Sequence, residues 1–393
     1  MPQGFRAGGL HCGLKKTSRF DLGVIVCEVP AQAAGVYTLN AFQAAPLHVT
    51  RESVAVEGKL QVMLVNSGNA NACTGKQGDQ DARGMRAAAA EAFGVAEHLV
   101  GVTSTGVIGE LLPMPKVLGG IEKLPQQVKA DGGEDFCQAI LTTDLVQKMT
   151  CVQLTVGGKT VHIAGSAKGS GMIHPNMATM LGFMTTDAKI ESAQLQKLLN
   201  GVTDSTFNMI TVDGDTSTND MVIVMASGLA GNDESLTPEH PDWAAFEAGF
   251  RYVGEYLAKA IARDGEGATK LIEVSVTGAE TQNAARAIAK TVIGSSLVKS
   301  ACFGADANWG RIIAAVGRAG QPVNTETVDI RLGDISVLEQ SRPIKFDEPQ
   351  AAEYLKGELV VIHVNLNMGN EHATAWGCDL TYDYVRINAA YRT

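Results

Sequence analysis

Hydrophobic positions along the chain follow two periods, one typical of strands and the other of helices. Short apolar runs rich in β-branched residues and bounded by turn residues predict strands. Residues 151–165 predict a hairpin, because alternating apolar positions flank the pair Gly157-Gly158. Outside that hairpin, the predicted strands are residues 22–29, 60–65, 99–105, 179–188, 220–228, 271–278 and 358–367.

Other segments carry apolar residues at intervals of three and four, the spacing of a helix that covers a core. The clearest lies at residues 241–263, and an Ala-rich run at 78–94 predicts another. Residues 192–202 and 308–317 predict two more. Because these helices are mixed with the strands, the pattern predicts an α+β fold in which helices cover large sheets.

Residues 165–178 break both periods. The stretch is rich in Gly and Ser, contains a Pro, and leads directly into a predicted strand that opens with Thr179. Gly-rich loops beside such strands often carry function. This loop is therefore a candidate site for unusual backbone chemistry.

Composition narrows the class of protein. The chain has 393 residues, of which 45% are hydrophobic, and a net charge of −10. Nucleic-acid and membrane-surface partners need clustered Lys and Arg, which are absent here. No run of 18 apolar residues predicts a membrane span. Seven scattered cysteines without a CxxC pattern, and no secretory signal, indicate unpaired thiols in a cytoplasmic protein.

Familiar chemical signatures are missing. The sequence has no P-loop, no GxSxG elbow and no dinucleotide fingerprint. Its eight histidines do not cluster, and Asp213-Gly214-Asp215 is interpreted as a turn because the rest of a calcium loop is lacking. The sequence thus predicts no metal site, and an enzyme built on it needs a base other than histidine.

An N-terminal threonine supplies such a base. If the bond before Thr179 is cut, the new α-amine has a reference pKa of about 7.7–8.0. One residue then carries both a nucleophile and its base. On periodicity alone, an ordinary strand threonine is the simpler interpretation of Thr179.

Residues 167–181, AKGSGMIHPNMATML, resemble the autoprocessing segment of the ornithine acetyltransferase family, also called glutamate N-acetyltransferase. That family cleaves itself before the Thr of this run, which here is the bond Ala178–Thr179. The resemblance covers nearly the whole chain. Further blocks in family order are residues 66–75, 103–110, 211–221, 263–270, 308–312 and 388–393.

The resemblance implies roles for three residues of the reacting centre. Thr179 would be the nucleophile for self-cleavage and then for acyl transfer. Thr105 and Gly106 match the family's oxyanion-hole pair, whose dipoles stabilise a tetrahedral intermediate. A plain turn at the end of a strand is the alternative interpretation of Thr105 and Gly106.

The resemblance also implies four substrate-binding residues. Lys168 suits a carboxylate or the acyl pocket, and Glu266 suits the side-chain ammonium of ornithine. Asn388 and Thr393 match substrate contacts at the family's C-terminus. Solvated surface charges and a frayed tail are the alternative interpretations of these residues.

Two positions depart from the family pattern. Leu145 follows Thr142-Thr143-Asp144 where the family commonly has a substrate-contacting Thr, so that contact is in doubt. Ala307 stands where a Pro usually precedes the block at 308–312. The second change is expected only to loosen a turn.

The fold that the resemblance implies is an α/β/β/α sandwich of the self-processing, N-terminal-nucleophile-like type. Cleavage would give an α fragment, 1–178, and a β fragment, 179–393, that stay associated and pair as α2β2. The implied reaction moves acetyl from N2-acetylornithine to glutamate, in arginine biosynthesis. It needs no metal or organic cofactor, and acetyl-CoA as a co-substrate stays open.

Two other classes of function remain open on the sequence. An amidase or aminopeptidase could use the same nucleophile and pass the acyl group to water. A non-catalytic relative that binds small molecules would keep the bond between Ala178 and Thr179 intact.

Overall fold

A computed structural model describes residues 1–174 and 180–389. They form two compact units, each built on one sheet with helices against it. The predicted α+β class, with helix-flanked sheets, is therefore confirmed. The first unit comprises the described parts of Met1–Gly169, Asn176–Phe207 and Thr216–Leu257. The second comprises the described parts of Ser170–Pro175, Asn208–Asp215 and Ala258–Thr393.

The sheet of the first unit has eight strands within the described residues. Its order is β4-β3-β2-β9-β7-β6-β5, and β1 also pairs with β2 (numbering follows the chain). The strands are β1 (Phe5–Leu10), β2 (Leu22–Tyr37), β3 (Lys59–Asn69), β4 (Val100–Val107), β5 (Lys148–Val156), β6 (Lys159–Lys168), β7 (Leu181–Thr186) and β9 (Met221–Ala226).

Both faces of this sheet are buried. In β3, Val62 and Leu64 belong to one apolar cluster, and the alternating residues Met63 and Val65 belong to another. A strand buried on both faces has a nearly continuous apolar sequence, which is what residues 60–65 show. The helices of this unit are α1 (Ala45–Glu57), α2 (Gly75–Phe93), α3 (Met114–Lys123), α4 (Gly133–Ile140), α5 (Ser192–Ser205) and most of α6 (Trp243–Arg263).

The predicted hairpin is confirmed as β5 and β6. Val156 pairs with Lys159 across a two-residue turn, in which Gly157 and Gly158 have φ of 56° and 73°. Positive φ at both turn positions matches the right-handed twist of the strands and favours Gly. However, β6 continues to Lys168, so residues 165–168 belong to a strand rather than to the predicted irregular stretch. They are extended because they pair with the start of β7.

The second unit holds a seven-stranded sheet within the described residues, in the order β13-β12-β11-β14-β10-β15-β8. Ile272, Val274 and Val276, in a strand with a neighbour on each side, are fully buried. The strands are β8 (Ile210–Thr211), β10 (Leu271–Ala279), β11 (Asp329–Leu332), β12 (Ile335–Glu339), β13 (Arg342–Pro343), β14 (Leu359–Asn365) and β15 (Glu371–Cys378).

Helices of the second unit include α7, which packs on β10 and β15. The predicted helix at 308–317 is confirmed as α9, and the Asn308 side chain caps it by accepting from the Arg311 N–H. The helices are α7 (Gln282–Ile293), α8 (Ser296–Phe303), α9 (Trp309–Gly317), α10 (Glu348–Leu355) and α11 (Tyr382–Asn388).

The structure bears on the predicted state of the cysteines and on the prediction of no membrane span. All seven cysteines are unpaired, as predicted, and four of them are buried. In the described ranges, no helix combines the length and apolar character needed to span a bilayer.

Candidate active site

Thr105 and Gly106 lie in β4 where it runs beside the end of β3. In the strand register, Ser67 faces Thr105 and Gly68 faces Gly106. Gly106 has φ of 136°, and a Cβ at this position would lie 2.3 Å from the carbonyl carbon of Gly68. Only glycine fits so close a backbone approach. The pair is therefore part of a tightly registered strand end, not a plain turn.

Buried amides fix the backbone just before Thr105. The Asn219 Nδ2 donates to the carbonyl oxygens of Ser104, at 2.8 Å, and Ala70, at 2.5 Å. The Ser104 hydroxyl donates to Asn66 Oδ1 at 2.6 Å. Because these polar groups are buried, each broken bond leaves an unsatisfied partner, and the strand end is held rigidly.

Lys168, the last residue of β6, reaches Thr105. It is only 8% exposed, which contradicts the interpretation as a surface charge. Its Nζ donates to Thr105 Oγ1 at 3.3 Å. A hydroxyl that accepts in this way keeps its own hydrogen for another acceptor. Thr105 can thus donate to an oxyanion while Lys168 polarises it.

Asp144 organises the residues around the end of β6. Its Oδ1 accepts from Lys148 Nζ and from the Gly169 N–H, both at 2.7 Å, and Oδ2 accepts from the Thr142 N–H at 3.0 Å. Burial raises the pKa of this carboxyl, but Lys168 and Lys148 outweigh it and hold the pKa well below its usual range. Asp144 is therefore an ionised carboxylate at neutral pH.

Asp220 is a second carboxyl of this cluster, and its pKa is shifted in the opposite direction. Burial raises its pKa well above the usual range, although hydrogen bonding from Ser217 and the charge of Lys168 oppose the shift. Its surroundings therefore favour the neutral acid, whereas those of Asp144 favour the carboxylate. Asp144, Asn219 and Asp220 were not singled out from the sequence, although they lie in or beside motifs quoted there.

Leu145 follows Asp144 directly. Its side chain is 82% exposed. The substitution therefore leaves the buried carboxylate of Asp144 in place.

The second unit holds Glu266 and Asn388 together. Glu266 is 7% exposed, its Oε2 accepts from Asn388 Nδ2 at 2.8 Å, and its N–H donates to the Ser170 carbonyl at 3.0 Å. Glu266 is thus not a surface charge, and Asn388 lies in α11 rather than in a frayed tail. Thr393 lies outside the described residues.

Side-chain caps hold the chain before residue 175. Asp213 accepts from the N–H groups of Met172, at 2.6 Å, and Ile173, at 2.9 Å. Gly214 has φ of 85°, which confirms the predicted turn. His174 Nδ1 lies 3.0 Å from Thr211 Oγ1, and burial lowers the pKa of His174 to about 4. Ala178 and Thr179 lie outside the described residues.

Across 1–174 and 180–389, no group of three or more His, Cys, Asp or Glu side chains is arranged to hold a metal ion. The groups that do converge are the Lys168 ammonium, the Thr105 hydroxyl and the Asp144 carboxylate. These are the groups of acyl-transfer chemistry.

The chain is similar to known proteins over its full length. The ArgJ family model matches residues 6–393. The arginine biosynthesis bifunctional protein ArgJ of Halalkalibacterium halodurans is 62% identical over all of this chain and 95% of its own length. The Geobacillus kaustophilus protein of the same name is 60% identical with the same coverage. A crystal structure of the Bacillus halodurans protein has 61% identity and a TM-score of 0.52, and it covers 53% of this chain and 97% of its own.

These similarities and the charged strand-end cluster define an acetyltransferase enzyme of arginine biosynthesis. The chain belongs to the ArgJ family. The resemblance drawn from the motifs is therefore confirmed.

Proposed function

We propose that the enzyme cleaves its own chain between Ala178 and Thr179, and that Thr179 then moves acetyl from N2-acetylornithine to glutamate. The buried contact between Lys168 and Thr105 carries this proposal. Lys168 pairs with Leu181 across β6 and β7, and Leu181 is two residues after Thr179. The ammonium that polarises the Thr105 hydroxyl thus lies on a strand next to the one that follows the proposed nucleophile.

A solved relative gives independent support for cleavage. The match to the solved Bacillus halodurans chain includes 97% of that chain but only 53% of this one. It is therefore about half as long as this chain. Residues 179–393 likewise make up a little more than half of the sequence.

Thr179 would provide both groups that each half-reaction needs. Its α-amine, with a reference pKa of about 7.7–8.0, takes the hydroxyl proton as the oxygen attacks the acetyl carbonyl. The intermediate collapses, ornithine leaves with that proton, and acetyl stays on the Thr179 oxygen. Glutamate then attacks this ester through its neutral amine, the bond from acetyl to the Thr179 oxygen breaks, and the α-amine carries the proton from the glutamate nitrogen to that oxygen. N-acetylglutamate leaves and Thr179 is restored.

Thr105 and Gly106 would stabilise the negative oxygen in both half-reactions. The Thr105 hydroxyl is available as a donor because it accepts from Lys168. One oxyanion-hole donor is typically worth about 10²–10³ in kcat. Lys168 would also attract a substrate carboxylate. Glu266, held by Asn388, would take the side-chain ammonium of ornithine.

Intact mass under denaturing conditions tests self-cleavage first. The proposal predicts two species of roughly 19 and 22 kDa in place of 41.3 kDa, and the larger should begin Thr-Met-Leu-Gly. Thr179→Ala should give one folded, inactive chain, because it loses the nucleophile of both reactions. Thr186→Ala, in the same strand, is the control and should still be cleaved.

Turnover by the Thr179→Ala chain would contradict the mechanism. Product analysis by mass spectrometry with and without glutamate then separates transfer from hydrolysis. Free acetate in place of N-acetylglutamate would indicate an amidase. Acetyl-CoA is the second donor to be tried in the same assay.

Glu266→Gln tests the assignment of the ornithine subsite. The amide keeps an oxygen for Asn388 but loses the charge that attracts an ammonium. KM for N2-acetylornithine should rise by roughly tenfold, about 1.4 kcal/mol, while KM for glutamate changes little. Steady-state kinetics with each substrate varied in turn measure both values. Equal losses for the two substrates would remove the assigned role.

The proposal also covers fragment assembly, binding partners, cofactors and cellular location. The two fragments stay together and pair as α2β2, and no nucleic acid or membrane takes part. The chemistry uses no metal or organic cofactor, because hydroxyl, amine and oxyanion hole supply its steps. A cytoplasmic location stays a prediction.

A further inference from the structure

A loop near the N-terminus is organised around one buried carboxylate. Asp21 is fully buried, and it accepts from the N–H groups of residues 12 to 15 at distances between 2.7 and 3.2 Å. His11 Nδ1 lies 2.9 Å from Asp21 Oδ2. Burial raises the pKa of Asp21, but hydrogen bonds from the Cys12 and Lys15 backbone outweigh it and lower the pKa. Four amides on one carboxylate fix the loop backbone, and with it the direction in which Lys15 leaves the chain.

Lys15 lies beside the proposed oxyanion pair. Its Cγ would be 3.4 Å from a Cβ placed on Gly68, so its aliphatic stem covers that glycine. Gly68 is the residue that faces Gly106 in the strand register. The Lys15 ammonium donates to the Phe20 carbonyl at 2.6 Å. A half-buried lysine is thus held against Gly68, next to the strand end that carries Thr105 and Gly106.

The charges around Lys15 belong to the same cluster. Burial lowers the pKa of Lys15 to about 8, Asp21 and Asp144 oppose the shift, and Arg19 and Lys168 add to it. Lys168 is the lysine that contacts Thr105. Lys168 therefore disfavours the charged form of Lys15, and an anion bound beside Lys15 would favour it.

We propose that Lys15 is a specificity residue for the acceptor, and that its ammonium binds the side-chain carboxylate of an acidic amino acid. This inference rests on the proposed function. The two amino acids of that reaction differ in side-chain charge, because ornithine carries an ammonium where glutamate carries a carboxylate. An acceptor with a side-chain carboxylate needs a cation close to the oxyanion pair. Lys15 provides it.

The preference for glutamate over glutamine measures this contact. Both acceptors have the same shape, and only glutamate has the side-chain carboxylate. In Lys15→Met, the ratio of their kcat/KM values should fall at least tenfold, since a charge-assisted hydrogen bond is lost. This ratio does not depend on how much of the sample is active. Lys15→Arg should keep most of the preference, and exposed Lys16→Met should keep all of it.

Isotope exchange separates the acceptor from the donor. Exchange of labelled ornithine into N2-acetylornithine, without glutamate, should stay within twofold of wild type in Lys15→Met. Exchange of labelled glutamate into N-acetylglutamate should fall at least tenfold. Equal losses in both exchanges, or an unchanged glutamate-to-glutamine ratio, would overturn the proposal for Lys15.

Failure of the proposed function gives a different result. If wild-type enzyme exchanges neither label, the double displacement is wrong, whatever Lys15 does. Calorimetric titration with glutamate then tests the contact without turnover. Weaker binding by Lys15→Met than by Lys16→Met would support the role of Lys15, and equal binding would refute it. Lys15→Gln serves in the same assays if Lys15→Met does not fold.

Discussion

At the scale of single residues, burial separates functional charges from surface charges. Lys168 and Glu266 are each less than 10% exposed, and both have specific partners within their own unit. An isolated ion in a protein interior is costly, so such residues are retained where partners or a ligand stabilise them. Neither burial nor partner can be read from one sequence, which is why surface charge had to stay an alternative.

Gly171 gives a prediction about the position of the Glu266 carboxylate. A Cβ on Gly171 would lie 2.4 Å from the Glu266 carboxyl group, which would have to move. Because that group is the end of a flexible side chain, Gly171→Ala should change the free energy of unfolding by less than about 1 kcal/mol. It should raise KM for N2-acetylornithine by roughly tenfold. Urea titration and steady-state kinetics measure the two effects.

Gly201→Ala is the matched control. Gly201 lies in α5, and nothing is within 4 Å of its added Cβ. Alanine should stabilise that helix by up to about 1 kcal/mol and leave KM unchanged. Unchanged donor KM in Gly171→Ala would mean that the Glu266 carboxylate does not bind the donor.

At the scale of elements, the sequence predicts those whose pattern is local. The Gly157-Gly158 hairpin and α6 follow from turn chemistry and from the 3.6-residue period, and both are confirmed. Strand β1 was not predicted, because its glycines, such as Gly8 and Gly9, carry no hydrophobic pattern. A Cβ on either would lie within 2.5 Å of a backbone carbonyl oxygen, of Gln127 for the first and of Asp135 for the second. Only the tertiary contact explains that strand.

The end of β6 was missed for the same kind of reason. Residues 165–168 look like a loop in sequence and become a strand through pairing with β7. The cluster on Thr105 likewise joins residues far apart in the chain, such as Lys168 and Asn219. Family motifs predicted the first of these, and no local pattern predicts the second.

Asp144, in the segment between α4 and β5, should make the free energy of unfolding depend on pH in the acid range. Asp144 has a lowered pKa in the folded chain, so its contribution is complete above about pH 4. It is lost as the pH falls through the folded-state value. Asp144→Asn should cost about 3–5 kcal/mol at neutral pH, because one partner of a buried pair is removed. Its unfolding free energy should also fall less steeply below pH 4 than that of wild type.

Urea unfolding at pH 7, 5, 4 and 3 checks both parts of this expectation. Asp79→Asn is the control, since Asp79 pairs with Arg83 on the exposed face of α2. It should cost less than about 1 kcal/mol. Parallel pH curves for wild type and Asp144→Asn would show that the buried pair does not carry the acid dependence.

At the scale of the whole molecule, the proposed fragments are woven into one sheet. In the order β2-β9-β7-β6, the inner two strands come from residues after 179 and the outer two from residues before it. Removing either fragment would split the sheet and expose strand edges and apolar faces. Cleavage therefore need not separate the fragments.

Size-exclusion chromatography should show the two fragments as a single peak. Their separation should require the urea concentration that unfolds the protein, because the shared sheet holds them together. The segment 1–178 expressed alone should be insoluble or unfolded by circular dichroism. A soluble, folded 1–178 would show that its strands do not depend on β7 and β9.

Because of this interleaved strand order, the proposed cut changes the pairing of β6 with β7 from an intramolecular to an intermolecular step. Before the proposed cut, β6 and β7 belong to one chain, so their pairing closes a loop at a cost that does not depend on concentration. After the cut, the same pairing brings two molecules together, and its free energy depends on how much of each is present. The precursor thus reaches its structure by the folding of one chain, whereas the cleaved enzyme depends on the association of two chains. Cleavage of a single peptide bond makes this difference.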